Sequence, residues 1–354
     1  MKVPLERMAR PSVPRDFCEV STVIWDVEWQ EIVSRSPYAT FFHSPQWHRI
    51  FIEVDVSLRP ATRRFVFGDG KVVIFPLVEC HRIMGLSRSF QASPAGCYGG
   101  WVCRDRLMPR QIDAITQWIL QNCPNLYWRL NPFDPDCVGL AGIATTRDST
   151  ELLDLTAYPD DATLRANYRH SVRKQIAKAA RAGVVVSTAE TWDEWEAYFG
   201  LYQVRLAQWG RAASNHYPLA LFRKFYEERG PSVRLWIASH EGRLIGGTLN
   251  LYNGCHCVEW HAAFDTNEFC FGVRDYLVDW IIRDARDRGF TIYDFNPSGG
   301  HEGTIRFKKT FGTTSRPCDV IIRHSGLDRV GALRKTYRLV HRLIPKPEAT
   351  RGGA

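Results

Sequence analysis

Residues 161–182 carry the most regular hydrophobic pattern of this sequence. Apolar side chains recur there every four residues, at Leu164, Tyr168, Val172, Ile176 and Ala180. This period matches one face of an α-helix, so we expect a helix over Asp161–Ala182 that ends at Gly183. Two further helical patterns rich in aromatic residues follow, at Trp192–Trp209 and Pro218–Glu228.

Strand patterns dominate the chain after residue 230. The turns Glu241-Gly242 and Asn253-Gly254 separate runs rich in β-branched and aromatic residues, which is typical of antiparallel hairpins. We therefore predict three antiparallel strands, then a helix, a fourth strand and a glycine-rich loop. In chain order these elements are Val233–Ser239, Leu244–Tyr252, Cys255–Ala262, Gly272–Arg288, Thr291–Phe295 and Asn296–Gly303.

The first half mixes the same two patterns. A turn at Gly68-Asp69-Gly70 joins strand-like runs at Arg64–Phe67 and Val72–Val78, and Ser44-Pro45 has the residue types that begin a helix. Other predicted elements are helices at Asp26–Arg35 and Arg110–Gln121 and strands at Tyr127–Leu130 and Leu152–Leu155. This order predicts a mixed sheet with a helix packed on it.

The chain has 354 residues, a length that suits two domains. We predict an α/β fold of two tandem domains, each a mixed, mostly antiparallel sheet flanked by helices. The expected divisions are a flexible N-terminus at 1–20, a first domain at 21–150, a second and catalytic domain at 151–325, and a basic helix with a tail at 326–354.

The net charge of +8 is concentrated in two predicted helices. The stretch Arg165–Arg181 has six basic residues and no acidic one, and residues 328–344 are also strongly basic. Such surfaces suit phosphate-bearing partners such as tRNA, coenzyme A, a nucleotide sugar or anionic lipid. A solvated helix face is the alternative for each, but we favour contact of 328–344 with an anionic membrane.

Several classes of protein are excluded by what the sequence lacks. No apolar run is long enough to span a bilayer, and no secretory signal opens the chain, so we expect a cytoplasmic protein, with membrane association left open. Cys255-His256-Cys257 has no second Cys/His pair at useful spacing, so we expect no metal site. Zinc-finger spacing, nucleophile elbows and dinucleotide or P-loop glycine motifs are also missing.

One segment carries a specific resemblance. Asp294-Phe295-Asn296-Pro297-Ser298-Gly299-Gly300 is followed by Gly303-Thr304-Ile305-Arg306-Phe307-Lys308-Lys309-Thr310-Phe311-Gly312. This stretch resembles the Phe-Lys-x-x-Phe-Gly signature of FemAB-like transferases, which include peptidyltransferases of peptidoglycan precursors and double-domain acetyltransferase-like (GNAT-like) proteins of exopolysaccharide systems. Tyr168–Lys174 is similar to the basic helix that opens the second half in that family.

The resemblance implies two GNAT-like domains and an acyltransferase that acts on amino groups. The expected acceptor is an amine related to the cell envelope or to a polysaccharide. Acyl transfer develops an oxyanion, which a fixed cation stabilises, and the family's matching lysine implies that role for Lys308. A surface lysine paired with a carboxylate is the alternative.

The other candidate residues are less specific. Asp294 and His301 are candidate bases that would take the proton of an attacking amine. Candidates for substrate binding lie on the predicted helices and on the third strand, namely Phe307, Arg306, Arg169, Arg173, Tyr276, Glu259 and His261. Packing in the core or on a helix surface is the alternative for most of them.

The donor is open between acyl-CoA and aminoacyl-tRNA, each as a substrate, and no tightly bound cofactor is expected. The glycine-rich loop with which acetyltransferases cradle pyrophosphate is replaced by Asp265–Gly272, which has one glycine and two acidic residues. No long helical hairpin of the kind seen in tRNA-using peptidyltransferases occurs either. Two alternatives remain: a tRNA-dependent aminoacyltransferase of peptidoglycan precursors, and a non-catalytic protein that binds a phosphate-bearing ligand.

Overall fold

The computed structural model describes residues 17–82, 87–209 and 216–324. Its α-helices are α1 Asp26–Arg35, α2 Pro45–Val54, α3 Pro109–Asn122, α4 Pro135–Val138, α5 Asp161–Asn167, α6 His170–Arg181, α7 Trp192–Trp209, α8 Leu219–Glu227, α9 Val273–Asp287 and α10 Glu302–Lys309. The basic helix expected at 328–344 lies outside the described residues.

The strands alternate with these helices. They are β1 Phe17–Ser21, β2 Leu58–Pro60, β3 Arg63–Phe67, β4 Val72–Phe75, β5 Val78–Arg82, β6 Ser87–Gln91, β7 Tyr98–Gly99, β8 Val102–Cys103, β9 Leu126–Leu130, β10 Ser149–Asp154, β11 Val185–Thr188, β12 Val233–His240, β13 Arg243–Asn253, β14 His256–Phe264, β15 Ile292–Asp294, β16 Thr314–Pro317 and β17 Val320–Ile322. The strand β1 begins inside the segment expected to be flexible.

The second half is built on one mixed sheet with the order β11-β12-β13-β14-β15-β10-β16. All neighbours in it are antiparallel except β14 and β15, which run parallel. The predicted hairpin at Asn253-Gly254 is confirmed, since Asn253 faces His256 across the β13–β14 turn and Gly254 has φ +55°. Helix α9 crosses from β14 to β15, as the pattern predicted.

Strands of the first half form two sheets in the described residues. One has the order β1-β3-β4-β8, and the other has the order β17-β9-β6-β5-β2 with β7 beside β9. The predicted hairpin of β3 and β4 is confirmed. Strand β17 follows the second-half sheet in sequence but pairs with β9, so the chain returns to the first half at its end. The domain boundaries expected from the sequence stay a prediction.

The prediction of a single helix over Asp161–Ala182 is wrong, because the helix is interrupted at Tyr168, between α5 and α6. The backbone N–H of Arg169 donates to the carbonyl oxygen of Thr310 at 2.8 Å, and the Tyr168 ring packs on Phe311 with centroids 5.1 Å apart. These distant contacts replace the helical hydrogen bonds that the local pattern predicted.

An apolar core joins the two halves. Trp47 of α2 packs edge-on against Trp260 of β14, with ring centroids 5.3 Å apart, and both belong to one buried cluster that also includes residues of α7 and α8. A second cluster lies between the other face of the second-half sheet and helices α6 and α9. Strand β14 is therefore held from both faces. No helix among the described residues is long and apolar enough to cross a membrane.

Candidate active site

Strands β14 and β15 separate in the middle of the second-half sheet. They pair only from His256 to Val258, opposite Ile292–Asp294, after which β15 ends and β14 continues to Phe264. Next to this point β14 contains a bulge, because Glu259 and His261 face consecutive residues of β13 and leave Trp260 as an extra residue. The free edge of β14 thus starts beside the end of β15.

Lys308 lies at this separation, on the last turn of α10. Only 4% of the residue is exposed, and its Nζ donates a hydrogen bond to the carbonyl oxygen of Asn296 at 2.5 Å. Burial lowers the pKa of the Lys308 amine to about 8, against the opposing effect of the carboxylates of Glu259 and Asp294. The nearby Arg274 guanidinium lowers this pKa further. Lys308 is therefore a buried amine near its titration point at physiological pH.

Glu259 supplies a carboxylate beside Lys308. It is 8% exposed, and its Oε2 accepts a hydrogen bond from the Tyr293 hydroxyl at 3.2 Å. Burial raises the pKa of Glu259, while Arg274 and Lys308 act to lower it. The Arg274 guanidinium stacks 3.5 Å above the ring of Phe307, and burial lowers its pKa. Two cationic groups and one carboxylate therefore face one another where the strands part.

Asp294 closes β15 and is fully buried. Its Oδ1 accepts hydrogen bonds from the Thr150 hydroxyl at 2.6 Å and from the backbone N–H of Asn296 at 2.8 Å. Its Oδ2 lies 3.0 Å from Nε2 of His256. Both oxygens of this predicted base are thus engaged by neighbouring groups.

The bulge sends Glu259 and His261 to different faces of β14. Glu259 contacts Tyr293 in the core beneath α9, whereas Nδ1 of His261 lies 2.7 Å from the Tyr198 hydroxyl on α7. Burial lowers the pKa of His261 to about 3, so this ring is neutral at physiological pH. The structure does not bring these two candidates together.

The remaining candidates lie on α6, α9 and α10 or next to them. His301 is exposed and directly precedes α10, and Arg306 is exposed on the same helix. Arg169 is exposed at the start of α6, and Nη1 of Arg173 donates to the carbonyl oxygen of Tyr168 at 2.5 Å, which ties the end of α5 to α6.

Tyr276 and Phe307 are both half-buried and pack against the core cluster under α9. Of the candidate residues, the structure therefore places Lys308, Asp294, Glu259 and Phe307 together.

Three groups at the site were missed from the sequence: Tyr293, His256 and the Asn296 carbonyl. The parallel pairing of β14 with β15 brings Tyr293 opposite Cys257 and places Asp294 within reach of His256. An alternating pattern in so short a strand carries no signal for its partner, so only the fold reveals these contacts. Among the described residues, no cluster of His, Cys, Asp or Glu is arranged to hold a metal ion.

Comparison with known protein families gives a match to the part of the chain that contains this site. Residues 166–309 match the family model described as an acetyltransferase (GNAT) domain. A comparison with curated protein sequences gives no match.

Solved structures match the fold over most of the chain. The crystal structure of FemX aligns with a TM-score of 0.67 at 13% identity, over 88% of this chain and 99% of that one. The C-terminal domain of a putative lysylphosphatidylglycerol synthetase from Agrobacterium fabrum aligns with a TM-score of 0.57 at 15% identity, over 91% of this chain and 98% of that one. L-PGS from Bacillus licheniformis aligns with a TM-score of 0.50 at 10% identity, over 84% and 96%. At these identities the likeness to solved structures is one of fold.

The acetyltransferase match covers β14, β15 and α10, which hold Glu259, Asp294 and Lys308, and the likeness to FemX extends over most of the chain. These matches confirm the resemblance seen in the sequence as far as they reach: residues 166–309 are an acetyltransferase (GNAT) domain, and the fold of the chain is similar to that of FemX.

Proposed function

We propose that this acyltransferase moves an acyl or aminoacyl group onto an amine of a cell-envelope or polysaccharide-related acceptor. The observation that carries the proposal is the buried Lys308 amine at the separation of β14 and β15, held by the Asn296 carbonyl. One protein of similar fold is named as a putative lysylphosphatidylglycerol synthetase, which supports an aminoacyl group and an envelope acceptor.

The proposed chemistry follows from the charges at the site. Attack of an amine on the donor's carbonyl carbon places negative charge on the carbonyl oxygen. A protonated Lys308 stabilises that oxygen, and burial makes the interaction stronger than it would be in water. Glu259, whose pKa is raised by burial, lies near enough to accept the proton that the attacking amine loses. As the tetrahedral intermediate collapses, the bond to the donor's leaving group breaks and the proton held by Glu259 passes to that group, which restores the carboxylate.

Two features bear on the donor. The start of α9, where an acetyltransferase would bind pyrophosphate, packs against α6: a Cβ on Gly272 would lie 2.7 Å from the carbonyl oxygen of Gln175. An acceptor oxygen at this place repels phosphate, which disfavours the usual binding mode of acyl-CoA. The second feature is Asp265, an acidic residue in the loop before α9, which forms an ion pair with Arg243.

The exposed side of α6 favours a polyanionic donor. Lys174, Lys178 and Arg181 are exposed there, and none forms an ion pair with a described residue. The helix leads to the site because Arg169, at its start, is hydrogen bonded to Thr310 just after α10. This arrangement supports aminoacyl-tRNA as the donor, with a peptidoglycan precursor as one acceptor to test.

Binding of labelled charged tRNA, followed by fluorescence anisotropy at near-physiological salt, tests the donor. Salt must be fixed because any basic protein binds polyanions when it is low. Binding that excess acyl-CoA does not displace, and that the double variant Lys174→Glu and Lys178→Glu weakens, supports aminoacyl-tRNA. The control is Arg110→Glu, which changes an exposed charge on α3 and should leave binding intact. Displacement by acyl-CoA favours an acyl-CoA donor, whereas equal weakening by the control shows that the protein binds tRNA only as a polyanion and counts against aminoacyl-tRNA.

Transfer itself is tested with Lys308→Ala and Lys308→Met, using whichever donor binds and amine-bearing envelope precursors as acceptors. We expect both variants to fold and to lose transfer. Full turnover by either variant would show that Lys308 has no part in the reaction.

A further inference from the structure

The Asn296 peptide links Asp294 to Lys308. Asn296 has φ +59°, in the left-handed region that few residues adopt readily, although asparagine tolerates it better than most. Its backbone N–H donates to Asp294 Oδ1 at 2.8 Å, and its carbonyl oxygen accepts from Lys308 Nζ at 2.5 Å. One peptide therefore contacts the carboxylate on one side and the amine on the other.

Asp294 in turn is fixed from two other strands. Thr150 of β10 donates to Oδ1 at 2.6 Å, and Nε2 of His256 on β14 lies 3.0 Å from Oδ2. Asp294 is fully buried and His256 is 2% exposed, so water does not compete for these contacts. A carboxylate with three partners and no exposed surface is poorly placed to accept a proton from a substrate.

We propose that Asp294 is a positioning residue: it holds the Asn296 turn, and the Asn296 carbonyl oxygen aims the Lys308 amine into the site. His256 and Thr150 hold Asp294 in the orientation that this turn requires. The inference goes beyond the proposed function, since it holds whatever the donor and the acceptor are.

The first half of the chain takes part in this arrangement. The ring of Phe133 packs edge-on against His256 with centroids 4.6 Å apart, so a first-half residue covers the His256–Asp294 contact. Burial, and then the neighbouring His256, lowers the pKa of His43 to about 3, which keeps this first-half ring neutral. Phe133 thus shields the His256–Asp294 contact from water, and the neutral His43 adds no charge beside it.

The test reads the titration of Lys308 directly and needs no substrate. Lysine side chains are labelled with ¹³C and ¹⁵N, and the NMR signal that is absent from Lys308→Met identifies Lys308. The charged groups that influence this amine come from four elements: Glu259 on β14, Asp294 on β15, Arg274 on α9 and Glu151 on β10. The test changes only Asp294 and its partner His256.

Asp294→Asn keeps an oxygen that accepts from Asn296 N–H but removes the negative charge. We expect the pKa of Lys308 to fall below its value of about 8, because a carboxylate that favours the protonated amine is gone. Transfer by this variant should fall less than the 10²–10⁴-fold, roughly, that loss of a general base costs. Asp294→Ala also removes the oxygen that holds the Asn296 turn, so transfer by this variant should fall further.

His256→Gln and His256→Leu form the matched pair. Glutamine offers an amide N–H close to the position of Nε2 and should keep the titration of Lys308 unchanged, whereas leucine leaves Asp294 without this partner and should change the titration of Lys308 and reduce transfer. Circular dichroism and thermal unfolding establish that each variant is folded. An unchanged Lys308 titration in Asp294→Asn and His256→Leu overturns the proposal, as does complete loss of transfer in a folded Asp294→Asn.

Discussion

Replacing Lys308 with methionine separates the charge of this side chain from its packing. The folded protein holds the amine at a pKa of about 8, against 10.5 for an ordinary lysine. Since one pKa unit equals about 1.4 kcal/mol, the proton costs the folded state about 3 kcal/mol at pH 7. Methionine removes this cost but leaves the Asn296 carbonyl without its donor, a loss of about 1–2 kcal/mol. We expect the free energy of unfolding to rise by about 1–2 kcal/mol at pH 7.

The lowered pKa of Lys308 also determines how the difference in stability between the two proteins depends on pH. Between pH 8 and 10.5 the unfolded chain binds the proton that the folded chain has released, so the stability of the unmodified protein rises with pH. From pH 7 to pH 9 that gain is about 1 kcal/mol. The methionine variant lacks the gain, and its stability advantage should shrink accordingly.

Urea unfolding of both proteins at pH 7 and pH 9 measures these quantities, provided that the slopes of the curves agree. Lys178→Met is the control, because Lys178 is exposed on α6 without an ion pair to a described residue, and its loss should change stability by less than about 0.5 kcal/mol. A Lys308→Met variant that is less stable at pH 7, or whose difference from the unmodified protein is the same at both pH values, refutes the reasoning.

Three further outcomes are expected. Above pH 8 the rate of transfer should fall about tenfold per pH unit as Lys308 loses its proton, and a kcat/KM that still rises at pH 10 contradicts the cationic role. Gly312→Ala should destabilise the protein by about 2 kcal/mol, because Gly312 has φ +74° and a Cβ would strike the side chain of Asn167. Gly303→Ala, in an open part of α10, should instead stabilise it by about 0.5–1 kcal/mol, so equal changes in thermal unfolding contradict this reasoning. Asp279→Ala removes a fully buried carboxylate from its two arginine partners and should cost about 3–5 kcal/mol in urea unfolding, so a loss below about 1 kcal/mol contradicts it.

Local sequence predicted the second-half sheet because its signals are local. The hairpin at Asn253-Gly254 needs only two residues of the right type, and α9 needs only a period of 3.6 over a few turns. The break at Tyr168 had no such signal. It depends on Phe311 and Thr310, more than 140 residues away, which a periodic pattern cannot include.

Only part of the site was predictable from the sequence, because only part of it depends on local signals. Lys308 was found through a contiguous motif, and α10, which presents it, starts inside the expected glycine-rich loop. The bulge at Trp260 has no signal in the sequence, and one extra residue in a strand reverses the face of every side chain beyond it. Glu259 therefore reaches Lys308 while His261 turns to α7.

The contacts of β14 explain why a buried amine can persist here at all. A lysine inside a protein normally recovers solvation by local opening, at a cost set by the packing around it. Here β14 is pinned on one face by Trp47 of the first half and on the other by the cluster under α9, and Asp294 fixes the Asn296 carbonyl against Nζ. Opening the site would disturb the core that joins both halves. The first half therefore stabilises an arrangement of charges in the second half that would otherwise relax toward water.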